Sequence, residues 1–152
     1  MALAPVAVAT AIATLNMRGV RVLDLHDLPD EVFARDCPLL MPNPESFLTG
    51  FSVTRETFGS DSAAFKMAHY TFNYLLLYRE VGEGRGLFDH YEGLVETWGV
   101  LLDALIANSV LNSSAVIDGF PASADIGIVN DPTGKQFFGF RLAVQILEYV
   151  NP

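Results

Sequence analysis

The chain has 152 residues, enough for one hydrophobic core, and we predict a single domain over residues 1–152. Its 18 acidic and 9 basic residues give a formal net charge of -9 without a cationic cluster, which argues against direct binding of nucleic acid. The hydrophobic fraction of 51% is high and the charged fraction of 18% is low, so we expect some apolar surface to meet a partner. Cys37 is the single cysteine, which excludes an internal disulfide and a thiolate-rich zinc site, and we interpret it as a small buried hydrophobe rather than a nucleophile.

The apolar segment Met1–Leu15 could be mistaken for a signal peptide or a membrane anchor. Its first cation is Arg18, so it lacks a positively charged leader region, and it is shorter than the ~20 residues that cross a bilayer. Pro5 instead indicates the start of a helix that ends near Asn16 and Gly19. Apolar residues at helical spacing form its inner face: Val6, Ala9, Ile12 and Ala13.

The next segment is irregular and rich in proline. Val20–Leu25 is predicted to be extended, and Pro38 and Pro42 allow a brief strand between them, at most at a sheet edge. A hairpin is then predicted over about Phe47 to Arg79. One face of its second strand is apolar and aromatic along the whole length: Ala68, Tyr70, Phe72, Tyr74, Leu76 and Tyr78.

The clearest helix is predicted over Asp89–Ala107, with Asp89 as its cap and Glu92 reaching back to it. We expect one broad stripe of this helix to face the sheet: Tyr91, Leu94, Val95, Trp98, Leu101, Leu102, Leu105 and Ile106. Ser113–Ala124 contains Gly119 and Pro121 and is predicted to be a loop.

The chain closes on a second predicted hairpin. Ile126 and Ile128 begin its first strand, and Asn130–Lys135 is a strong turn sequence. The returning strand has an apolar face of Phe138, Phe140, Leu142, Val144 and Ile146. Together these elements predict an α+β fold: an antiparallel or mixed β-sheet built from two hairpins, with an N-terminal helix and a central amphipathic helix packed on one face.

Two glycine-containing segments resemble phosphate-binding loops only superficially. Gly82–Gly86 lies between a strand and a helix, but Glu80 and Glu83 place negative charge there and the glycine spacing is wrong, so we interpret it as a connection. Gly134 and Lys135 lack the Ser or Thr that would hold magnesium, which favours a hairpin turn.

Titratable residues do not form a recognisable catalytic pattern. His26 lies among the carboxylates of Asp24, Asp27, Asp30 and Glu31, yet neither a calcium-loop spacing nor a second nearby histidine defines a metal site, so a solvated acidic loop is the simpler interpretation. Structural roles are expected for the remaining histidines, His69 and His90. No GxSxG sequence is present. We therefore predict no catalytic, cofactor-binding or metal-binding residues, no cofactor, and no enzymatic activity.

The order of elements resembles the tail-terminator proteins of long, non-contractile-tailed bacteriophages and, more loosely, their tail-completion and head-tail connector relatives. The resemblance rests on the helix through Leu15, the proline-rich Cys37–Pro44 segment, the aromatic strand Ala68–Tyr78, the helix Asp89–Ala107 and the closing strand Phe138–Tyr149. The Ser113–Ala124 segment and the hydrophobic amino end depart from the simplest version of this pattern.

The resemblance implies a virion structural protein that assembles in the host cytoplasm. Its copies would form a homo-oligomeric, hexameric ring that terminates the tail tube and contacts the tube protein and the neck or connector protein. DNA would pass through the lumen without specific binding, which suits the acidic charge, and no membrane would be involved. A tail-completion or connector role is an alternative, and a small ligand-binding or metal-dependent α+β enzyme domain is an alternative of another class.

Overall fold

The fold is α+β, with two helices and a mixed, strongly curled sheet. The computed structural model describes residues 4–56, 65–82, 86–108, 110–111 and 115–150. The helices within these ranges are α1 (Pro5–Ala13) and α2 (Leu87–Ala107). The strands are β1 (Arg21–Val22), β2 (Leu39–Pro42), β3 (Leu48–Glu56), β4 (Phe65–Glu80), β5 (Val110–Leu111), β6 (Ala115–Asn130) and β7 (Gln136–Val150).

The strands form one sheet in the order β1-β2-β4-β7-β6-β5, and β3 pairs with the first half of β4. The β3–β4 and β6–β7 hairpins are both present, as predicted, and β4 pairs with β7 antiparallel along nearly its full length. The β1–β2 pair is parallel. The sheet is therefore mixed but mainly antiparallel, with the two hairpins joined through β4 and β7.

The main core lies between this sheet and the two helices. The predicted aromatic face of β4 is buried in this core, together with the predicted apolar face of β7. Both helices pack on this same face through Val8 and Ile12 of α1 and Leu94, Leu101 and Leu105 of α2. Each such side chain stabilises the fold by roughly 1.5–3 kcal/mol when fully buried. The prediction of two helices on one face of the sheet is confirmed.

A smaller core covers part of the opposite face. The irregular segment between β1 and β2 contributes Leu23 and Val32 to this core, and β2 contributes Leu39 and Met41. These side chains pack on residues of β4, β6 and β7: Leu75, Leu77, Val129 and Phe137. Two short 3₁₀ turns, Leu25–Asp27 and Ala34–Asp36, shape this segment. Asp131 fixes it to the β6–β7 turn by accepting the Val32 N–H at 3.1 Å.

The prediction that the strand between Pro38 and Pro42 lies at most at a sheet edge is wrong. All four residues of β2 are buried, and the strand lies between β1 and β4. Proline is tolerated because Pro38 precedes the strand and Pro42 is its last residue, so the interior N–H groups remain available.

The prediction of a loop over Ser113–Ala124 is also wrong from residue 115 onward, while residues 112–114 lie outside the described part of the chain. Ala115–Asn130 is one strand, and its register against β7 shifts between Ile117 and Ala122. Gly119 and Pro121 fall within that irregularity. They interrupt the ladder locally, as residues at a β-bulge do, and pairing with β7 resumes beyond them.

Helix α2 begins two residues before the predicted cap. Gly86 is the N-cap, and Asp89 is the third helical residue, whose carboxylate accepts the Gly86 N–H at 3.0 Å. Asp89 therefore occupies the position of the acidic partner in a capping box, and Glu92 does not.

Candidate functional site

The acidic segment Asp24–Glu31 uses its carboxylates to hold local structure. Asp24 accepts the Leu25 N–H at 2.7 Å and the Thr10 hydroxyl at 2.9 Å, which ties the segment to α1. Glu31 pairs with Lys135 at 2.8 Å. Within the described ranges, no three His, Cys, Asp or Glu side chains are grouped so that they could hold a metal ion.

Neither the Gly82–Gly86 segment nor the Gly134–Lys135 turn is shown to be a phosphate-binding loop. Residues 83–85 of the Gly82–Gly86 segment lie outside the described residues, and Gly86 caps α2. Gly134 has φ +89° and closes the β6–β7 turn by donating to the Asp131 carbonyl at 3.0 Å. The Lys135 ammonium is held by Glu31 and by the Val32 carbonyl, so the hairpin interpretation of this segment is confirmed.

Cys37 and His90 have structural surroundings. Desolvation raises the pKa of the half-buried Cys37 thiol to about 11, so the thiol is protonated at neutral pH and is a poor nucleophile. The His90 ring lies between Tyr78 and Phe138, with centroid distances of 6.0 and 5.3 Å. His69 is half-buried on β4.

A buried carboxylate near the end of β7 was not predicted. Glu148 is 2% exposed and accepts the Tyr70 hydroxyl at 2.7 Å and the Ala4 N–H at 2.9 Å. Burial, reinforced by this hydrogen bond and the nearby carboxylate charge, raises the pKa of Tyr70 above its ordinary range. Glu148 thus anchors the start of α1 to the sheet.

A shallow groove runs beside α2, with a volume of about 630 Å³. Arg18 and Arg79 line it together with Glu96 and Asp103. Cations and carboxylates occur there in equal number, so the groove has no net charge that would select an anionic or a cationic ligand.

The outer side of α2 is the most unusual surface of the described structure. Four exposed apolar side chains lie on one side of the helix at 100° per residue: Phe88, Tyr91, Val95 and Ile106, which we call the α2 stripe. The partly exposed Leu102 lies on the same side, between Val95 and Ile106. Phe88 is 90% exposed and Ile106 is 58% exposed. Tyr91, Val95 and Ile106 were predicted to face the sheet, and that part of the prediction is wrong because the apolar arc of α2 is wider than the sheet can cover.

Charge on α2 is entirely acidic. The helix contains Asp89, Glu92, Glu96 and Asp103, and its sequence includes no Lys or Arg. At 100° per residue, Glu92, Glu96 and Asp103 follow one another along one side of the α2 stripe. Glu96 and Asp103 also line the groove that contains Arg18 and Arg79, so the carboxylates at this edge of the stripe have cations beside them.

A second exposed apolar group lies on β3 and consists of Leu48, Phe51 and Val53, which we call the β3 patch. Leu48 and Val53 are paired in register with Phe72 and Ala68, so they share the helix side of the sheet. Phe51 stacks on Tyr70 with a centroid distance of 5.7 Å. Phe72, Ala68 and Tyr70 are buried, whereas the three residues of the β3 patch remain about half exposed.

No protein-family model matches the chain, and a comparison with curated proteins also gives no match. Neither helix in the described ranges combines the length and the apolar character needed to span a bilayer.

Proposed function

We propose that this protein is a structural subunit of a bacteriophage virion and is not an enzyme. Its copies form a hexameric ring that terminates the tail tube and links it to the neck. The observation that carries the proposal is the α2 stripe, because large apolar side chains exposed in a row mark a surface that other protein covers.

Leaving the α2 stripe exposed to water is energetically unfavourable. Burial of apolar surface stabilises a protein or an interface by roughly 25 cal/mol per Å² removed from water. Phe88 and Ile106 gain little of that stabilisation within one chain, since most of each side chain is exposed. An assembly that covers them recovers it at every repeated interface of a closed ring.

The charge of the chain supports a ring around DNA. A formal net charge of -9 repels phosphate, so DNA can move past such a surface without being held. The order of elements, an N-terminal helix, two hairpins and a helix between them, supports the same function through its resemblance to tail terminators. In this proposal the ring contacts the tube protein on one side and a neck or connector protein on the other, after assembly in the host cytoplasm.

The test uses tail tubes assembled from the major tail protein encoded in the same genome. Purified protein is added to the tubes, which are then imaged by negative-stain electron microscopy. We expect a ring-shaped density at one end of each tube and tubes that stop elongating. Binding to the connector protein but not to tubes would favour the connector role instead.

The enzymatic alternative is tested separately by thermal shift. Divalent cations and nucleotides are added one at a time, and we expect no change in melting temperature. A stabilisation that saturates with one of these ligands would contradict the non-enzymatic proposal and favour the ligand-binding alternative.

A further inference from the structure

We draw no further inference here: the strongest candidate, the α2 stripe on the exposed side of the helix, belongs to the surface already described, and nothing in the described part of the chain shows what covers it.

Discussion

Replacing Asp131 with alanine removes the residue that connects the β6–β7 turn to the irregular segment on the outer face of the sheet. Asp131 is 4% exposed. One carboxylate oxygen accepts the Thr133 N–H, the Thr133 hydroxyl and the Lys135 N–H at 2.6–2.9 Å, and the other accepts the Val32 N–H at 3.1 Å. The substitution therefore leaves four donors without their acceptor.

The loss of stability in D131A depends on how deeply those donors are buried. Val32 is buried, so its N–H has no access to water, and leaving such a donor unpaired costs about 2 kcal/mol. The donors of Thr133 and Lys135 lie closer to the surface, and their loss costs about 0.5 kcal/mol each. We expect the free energy of unfolding to fall by about 3.5 kcal/mol in D131A.

Urea denaturation at fixed protein concentration measures this difference. Thr133→Ala is the control, since it removes one of the four hydrogen bonds and we expect a loss of about 0.5–1 kcal/mol. Asp131→Asn retains one carbonyl oxygen, and we expect an intermediate loss. A D131A protein no less stable than T133A would refute the assignment of Asp131 as the connecting residue.

The Asp131 carboxylate should also make the free energy of unfolding depend on pH. Burial is the largest single influence on its pKa and opposes ionisation, but the hydrogen bonds from Thr133, Val32 and Lys135 together outweigh it and hold the pKa below its ordinary value. The stabilisation is present above the unfolded pKa of about 3.9 and is lost as the pH falls through the folded pKa. The difference in the free energy of unfolding between wild type and D131N should be equal at pH 7 and pH 5 and should shrink below about pH 4.

Two further predictions concern single residues. A Cβ on Gly139 would overlap the backbone carbonyl of Leu76, so Gly139→Ala should lower the free energy of unfolding, measured by urea denaturation, by more than about 2 kcal/mol. Gly127 is the register partner of Gly139 on β6 and has open space at its Cβ position, so Gly127→Ala should lower it by less than about 1 kcal/mol. Equal losses would contradict the close contact. Cys37 should react with Ellman's reagent at pH 8 on the order of 10-fold more slowly than a free thiol, because its raised pKa leaves little thiolate and the higher nucleophilicity of that thiolate offsets only part of the deficit. A rate like that of glutathione would contradict this.

The sequence predicted the elements whose pattern is local. The apolar alternation of β4 and β7 extends over many residues, so it identified the buried faces correctly. The Asn130–Lys135 turn was equally clear from its own residues. These features depend on neighbours along the chain, and that is the information a single sequence contains.

The features that were missed depend on contacts between distant segments. The strand nature of residues 115–124 comes from pairing with β7, which overrides the local effect of Gly119 and Pro121. Glu148 continues the inward alternation of β7, but its burial is possible only because Tyr70 and Ala4 supply hydrogen bonds. Tyr91, Val95 and Ile106 on the exposed side of α2 are as apolar as the residues on its buried side. Periodicity alone therefore did not distinguish the exposed side of the helix from the buried side.

We propose that this chain works by assembling with copies of itself. Native mass spectrometry of the wild-type protein tests it most directly. We expect a closed species of six copies of the 16.6 kDa chain. Val95→Glu, which places a charge in the α2 stripe, should shift the distribution to smaller species. A wild-type protein that stays monomeric at every concentration, in solution and in the presence of tail tubes, would contradict it.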